Sequence, residues 1–254
     1  MATIIRPTQT MSLQDIRELW QYRELFYFLT WRDLKVRYKQ TTIGVLWAVF
    51  QPLITMVVFS VFFGKLVQVP SEGVPYPIFI YSGLLIWQLF SSALSETSNI
   101  LLSNQSIITK VFFPRLILPI SAIVTKFVDF FFASFVLVGL MVYYQYTPHL
   151  IGIILLPWLL LLTFFLATGA GLFLAALNVR YRDVRYALPF FIQLLLFISP
   201  VIYPPSIAGS YAWLLTLNPL TGILTAARSS LLHTSTIPWM SLGLSTVFSI
   251  VLLI

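Results

Sequence analysis

The chain has 254 residues, of which 59% are hydrophobic and only 9% charged. Soluble domains carry about 25% charged residues and need them to cover their surface, so a water-soluble fold is excluded. The net charge of +7 then reads as membrane orientation and headgroup contact, not as affinity for nucleic acid.

The absence of cysteine rules out disulfides, a thiol nucleophile and a thiolate metal site. Aromatic residues make up 16%, which suits lipid-facing surfaces, interfacial anchors or a pore that touches rings. Residues 1–22 lack the continuous apolar core and small-residue cleavage site of a secretory signal, so the first hydrophobic helix serves as its own insertion signal.

Residues 1–42 read as a cytoplasmic, amphipathic interface segment. Ser12 and Asp15 can form a capping box that opens a helix before Ile16. Leu13, Ile16, Leu19 and Trp20, then Phe26, Tyr27, Trp31, Leu34 and Tyr38, recur at spacings near three and four. Arg32, Lys35 and Lys39 gather on a neighbouring face. A helix of this kind lies along the membrane surface.

The transmembrane domain spans 43–254. Residues 43–64 form an uncharged run of 22, about 33 Å as a helix, with Pro52 at an expected kink. A Pro- and Glu-containing loop precedes a second helix over 78–102, which ends near Glu96 and Asn99. A third covers 116–143 and a fourth 150–177, in which Ala167, Gly171 and Ala175 repeat every four residues, the spacing of close helix packing in lipid.

After a basic loop, a fifth helix is expected over 186–203. Two apolar stretches, 208–217 and 220–232, are each too short to span and are separated by Asn218 and Pro219; they read as re-entrant or interfacial helices. A sixth helix covers 239–254. It stops without a flanking charge, which implies that the natural chain continues. The fold class is therefore all-α, an integral membrane protein of six transmembrane helices.

Twelve of the fifteen lysines and arginines fall before the first helix, between the second and third, or between the fourth and fifth. Lys65 and Arg228 fall on the opposite side, and Lys126 lies within the third helix. The N-terminus is thus cytoplasmic and the paired short helices face outward.

No cluster for catalysis or metal binding is evident. His149 and His233 lack the partners of a metal site, and the sequence holds no phosphate-binding loop, so any nucleotide that powers the protein sits on another chain. Charges inside a membrane are costly and point to function or to pairing. Lys126 and Asp129, three apart on one face, can form an intramembrane ion pair that extends to Glu96; ion coupling is the other reading. The connector over 104–115 carries Ile107, Ile108, Val111, Phe112 and Phe113, more apolar surface than a tethering loop needs, and suits docking into a groove of a partner.

Three stretches together resemble a known family. They are residues 31–53 (WRDLKVRYKQTTIGVLWAVFQPL), 110–115 (KVFFPR) and 177–184 (LNVRYRDV), followed by 199–203 (SPVIY) and 218–220 (NPL). In this order they are similar to the type-2 ABC exporter permeases that move polysaccharides such as O-antigen and teichoic acid. The short charged tail usual in that family is missing here.

The resemblance implies a multi-pass protein of the bacterial inner membrane. It implies a homodimer of permeases docked to two copies of an ABC ATPase subunit, with ATP and magnesium on that partner and no cofactor on this chain. A pore along the dimer interface, lined by helices one and five, would carry a lipid-linked polysaccharide outward. Lys110, Val111, Phe112, Phe113, Pro114 and Arg115 would form the coupling helix, within 104–115. Residues 208–217 and 220–232 would be external gate helices.

Trp31, Arg32, Lys35, Arg37 and Lys39 would face lipid headgroups from the interface helix, and Arg32, Lys35 and Lys39 are also placed to hold the pyrophosphate of a lipid carrier. Trp47, Phe50, Phe190, Phe191, Phe197 and Tyr203 are the candidates for stacking on sugar faces, with lipid exposure the competing reading of each. Export of teichoic acid, of capsule or of a small drug are alternatives within the same superfamily; a membrane glycosyl- or acyltransferase and a channel are alternatives outside it.

Overall fold

The computed structural model describes residues 18–39, 44–148, 150–181, 183–232, 234 and 236–253, and every regular element among them is a helix. Ser12 and Asp15, Arg6 and Arg17, residues 40–43, Arg182 and both histidines, His149 and His233, lie outside the described residues.

In chain order the helices are α1 (Arg23–Lys39), α2 (Leu46–Phe59, prolonged by a π-helix over Ser60–Leu66), α3 (Tyr76–Ser103), the single turn α4 (Gln105–Ile108), α5 (Ile117–Tyr143) and α6 (Leu150–Arg180). Then follow α7 (Val184–Ile198), a 3-10 segment (Pro205–Tyr211), α8 (Ala212–Thr216), α9 (Pro219–Leu232) and α10 (Trp239–Leu253). In hydrocarbon every backbone group must find its partner within the chain, which is why these apolar runs are helical. Four of them, α2 with its extension, α3, α5 and α6, are long and apolar enough to cross a membrane; α7 and α10 are shorter.

The bundle is built around α3. Of its most apolar stretch 83% is buried, against 11% for α2, because α2, α5, α6, α7 and α9 all pack on it. Small residues let backbones approach. A Cβ at Gly171 of α6 would stand 2.6 Å from the Thr97 side chain of α3, and one at Gly169 would press on the Leu252 carbonyl of α10. Ala167 and Ala175 are buried on α6 as well. Hydrogen bonds across helices add to this packing: Tyr81 donates to the Ala133 carbonyl at 2.8 Å, and Asn178 donates to the Ser98 carbonyl at 3.1 Å and to Asn99 Oδ1 at 3.2 Å.

The structure adds to or differs from the sequence reading at four places. Helix α7 stops at Ile198 instead of 203, since Ser199 is extended (φ −80°, ψ 144°) and Pro200 follows, with no N–H to continue the ladder. The first external stretch is not one helix over 208–217: a 3-10 segment and α8 share it, broken at Gly209 with φ +50°.

The second stretch, 220–232, is helical from Pro219 as α9. It is buried among α3, α6 and α10 along nearly its whole length. Its small residues permit this, and a Cβ at Gly222 would meet the Ser241 carbonyl and Ser245 Oγ of α10. In the connector over 104–115 only α4 is helical, and residues from Thr109 to Leu116 form turns and extended chain.

Candidate translocation and coupling surfaces

The intramembrane charges are satisfied between helices. Lys126 on α5 is buried and pairs with Glu96 of α3 at 2.8 Å. Asp129 does not face Lys126. It pairs with Arg37 of α1 at 2.6 Å and accepts a hydrogen bond from the Tyr38 hydroxyl. Three residues along a helix is close enough for two side chains to meet, yet each finds a better partner on a neighbouring helix. Burial, and then the bond to Asp129, pushes the Tyr38 phenol above its ordinary pKa, so it stays a donor at physiological pH.

These contacts dock α1 onto α5. The remaining interface residues divide by exposure. Arg32 pairs with Asp33 at 2.8 Å and reaches Asn104 Oδ1 at 3.5 Å, linking α1 to the connector. Trp31 is exposed and stacks on Tyr27, with ring centroids 6.5 Å apart, and Lys35 and Lys39 are exposed beside it.

The connector is anchored at one ring and free at another. Phe113 is 6% exposed and joins Leu29, Ile100, Ile117, Leu118 and Ala122 in a small apolar cluster beneath α1. Phe112 is 74% exposed, and Val111, Lys110 and Arg115 are exposed around a shallow depression. Pro114 sits between the anchored ring and Arg115, partly buried. The segment thus offers an apolar and cationic projection anchored through Phe113 to α1, α3 and α5.

The candidate sugar-contacting rings lie on α2, on α7 and just beyond it. Trp47 and Phe50 project from α2, and Phe190, Phe191 and Phe197 from α7, all exposed. Phe190 and Phe191 meet edge to face at 6.0 Å. Leu188 is the buried residue of α7. Tyr203 is half-buried beyond the end of α7, where its hydroxyl donates to the carbonyls of Phe197 at 2.9 Å and Ile198 at 3.2 Å and so closes the frayed last turn.

One buried charged side chain escaped the sequence reading. Arg228, counted there as an outer loop charge, lies within α9 and is 2% exposed. It donates to the Pro200 carbonyl at 2.6 Å and to the Val201 carbonyl, and its guanidinium stacks 3.9 Å from the Phe79 ring centroid. It therefore satisfies carbonyls left over where α7 breaks. The signal was a single cation in a helix of otherwise uncharged and mostly small residues, PLTGILTAARSSLL.

The fold and these surfaces define an α-helical, multi-pass membrane protein with a docked N-terminal helix and exposed aromatic rings on α2 and α7. Residues 24–232 match the ABC-2 type transporter family, and the chain belongs to it.

The chain is 32% identical over 220 residues to the O-antigen export system permease protein RfbA of Myxococcus xanthus, covering 84% of this chain and 82% of that one. It is 28% identical over 221 residues to the Klebsiella pneumoniae protein of the same description, covering 86% and 84%. It is 25% identical over 231 residues to the polysialic acid transport protein KpsM of Escherichia coli, covering 87% and 86%.

Proposed function

We propose that the chain is the permease subunit of an ATP-driven exporter that moves a lipid-linked polysaccharide, O-antigen-like, from the cytoplasm across the bacterial inner membrane. The observation that carries this reading is the pair of exposed aromatic faces on α2 and α7, in a chain similar along more than four-fifths of its length to polysaccharide export permeases. Two copies facing each other through α2 and α7 would enclose a ring-lined path. Aromatic faces suit a sliding polymer because sugar C–H faces stack on them without fixed hydrogen bonds.

In this reading α7 and α10 complete a six-span topology with the basic N-terminal side in the cytoplasm. Two copies of an ABC ATPase subunit bind there, holding ATP and magnesium. The exposed Phe112 and Val111, flanked by Lys110 and Arg115, enter a groove of the ATPase. The buried Phe113 hands its movement to α1 and α5. Lys35, Lys39 and Trp31 face the headgroup layer, where an anionic carrier arrives.

The test is co-expression with each ATPase from the same genome in a strain that lacks its own exporter. A stable two-plus-two complex that restores surface polymer is expected. A complex that restores no polymer but lowers drug accumulation would replace the reading with small-molecule export.

A further inference from the structure

At the end of the bundle where α3 begins, away from the connector, a cavity of about 210 Å³ lies between α3, α9 and the broken external segment. That is room for several waters and less than a drug-sized pocket, the scale of a single sugar ring. Polar groups converge on it from separate parts of the chain: Glu72 from the loop before α3, Ser206 from the 3-10 segment, and Thr221, Thr225 and Arg228 from α9. Phe79 supplies an apolar wall.

Two of these groups are unsatisfied. Arg228 Nε and Thr221 Oγ1 are buried and make no hydrogen bond among the described residues, although both residues line the cavity. A buried donor left without a partner costs about 1–3 kcal/mol, which a bound group with its own oxygens removes. Each of the other two guanidinium nitrogens donates one of its two N–H groups, to Pro200 and to Val201.

Charge selects further. Glu72 and Arg228 line the same cavity, so their charges offset and an anion gains no net attraction there. A carboxylate accepts from hydroxyls, the guanidinium donates to oxygen, and threonine hydroxyls do both. Together they match a ligand bearing several neutral hydroxyls.

We propose that this cavity binds one neutral sugar residue, or a polyhydroxylated group of that size, within each protomer and apart from the aromatic faces of α2 and α7. The assignment rests on the cavity's own chemistry and does not need the export reading.

The test is a saturation-transfer NMR titration of the full chain in nanodiscs, without ATPase or ATP, using methyl glucoside and methyl mannoside as probes and inorganic phosphate as competitor. A methyl glycoside is expected to bind, with phosphate failing to displace it. Thr221→Val, which keeps shape and removes the hydroxyl, should weaken binding about threefold to tenfold.

Glu72→Gln, an isosteric change at a half-buried loop position, should weaken the glycoside and let phosphate compete, because it leaves the cavity positive. No glycoside signal, undiminished binding in both variants, or displacement by phosphate from the unaltered chain would each overturn the proposal. An export assay that fails while the titration succeeds would remove only the function proposed above.

Discussion

The Lys126–Glu96 pair makes an asymmetric prediction. The two side chains meet at 2.8 Å, but that of Lys126 is 5% exposed and that of Glu96 51%. Replacing Glu96 by leucine strands a buried ammonium. Breaking a fully buried pair this way costs about 3–5 kcal/mol, and access of solvent to the half-exposed carboxylate side reduces it here to about 2 kcal/mol. Replacing Lys126 by methionine instead removes the buried charge and leaves Glu96 near solvent, at a cost of about 1 kcal/mol or less.

The double variant should match Lys126→Met, a coupling of about 2 kcal/mol in a double-mutant cycle. Thermal unfolding of the purified chain, followed by tryptophan fluorescence, reads this as a fall of about 4–8 °C for Glu96→Leu and under about 4 °C for Lys126→Met. Equal losses, or the larger loss on the lysine side, would refute the argument that burial of the ammonium sets the cost.

Other expectations follow from contacts already described. Gly222→Ala, whose Cβ meets the Ser241 carbonyl, should cost about 1–3 kcal/mol, whereas Gly139→Ala, with nothing within 4 Å, should be neutral or gain about 0.5–1 kcal/mol; the same melts compare them, and a reversed order would contradict the close α9–α10 approach. Asp129→Leu removes the partner of Arg37 and Tyr38 and should speed tryptic cleavage within α1 several-fold; unchanged cleavage would show that α1 is held by its apolar contacts alone. Lys110→Glu with Arg115→Glu should leave basal ATP hydrolysis of the complex while abolishing export, and retained export would exclude the coupling role. Alanine at Trp47, Phe50, Phe190, Phe191, Phe197 and Tyr203 together should stop polymer reaching the surface with assembly intact, and unchanged export would return these rings to lipid.

Long apolar runs made most of the architecture readable, since length, charge and helical periodicity are local properties. The limits appear where burial depends on partners far along the chain. The run over 220–232 is only moderately apolar and too short to span, and its Gly222, Ala226 and Ala227 lie buried in an interior helix; its length and composition do not say which helices cover it. Asp129 was legible as an expensive charge but not its partner, because Arg37 lies 92 residues earlier in the chain. The division of labour between Phe112 and Phe113 was likewise invisible, as adjacent phenylalanines carry no mark of which one turns inward until α1 and α5 are in place. Arg228 looked like a topological charge because its role is set by a break in a helix some thirty residues away.

The bond from Arg228 to the end of α7 also bears on how the protein is made. The carbonyls of Pro200 and Val201, just past the end of α7, find their donor on a helix that is translated later, and hydrocarbon would offer them none. If those carbonyls stay next to water until residue 228 has left the ribosome, α7, the external segment and α9 are expected to enter the bilayer together. A ribosome stalled shortly before that arginine should hold a nascent chain with four committed helices and a fifth still within reach of aqueous reagents.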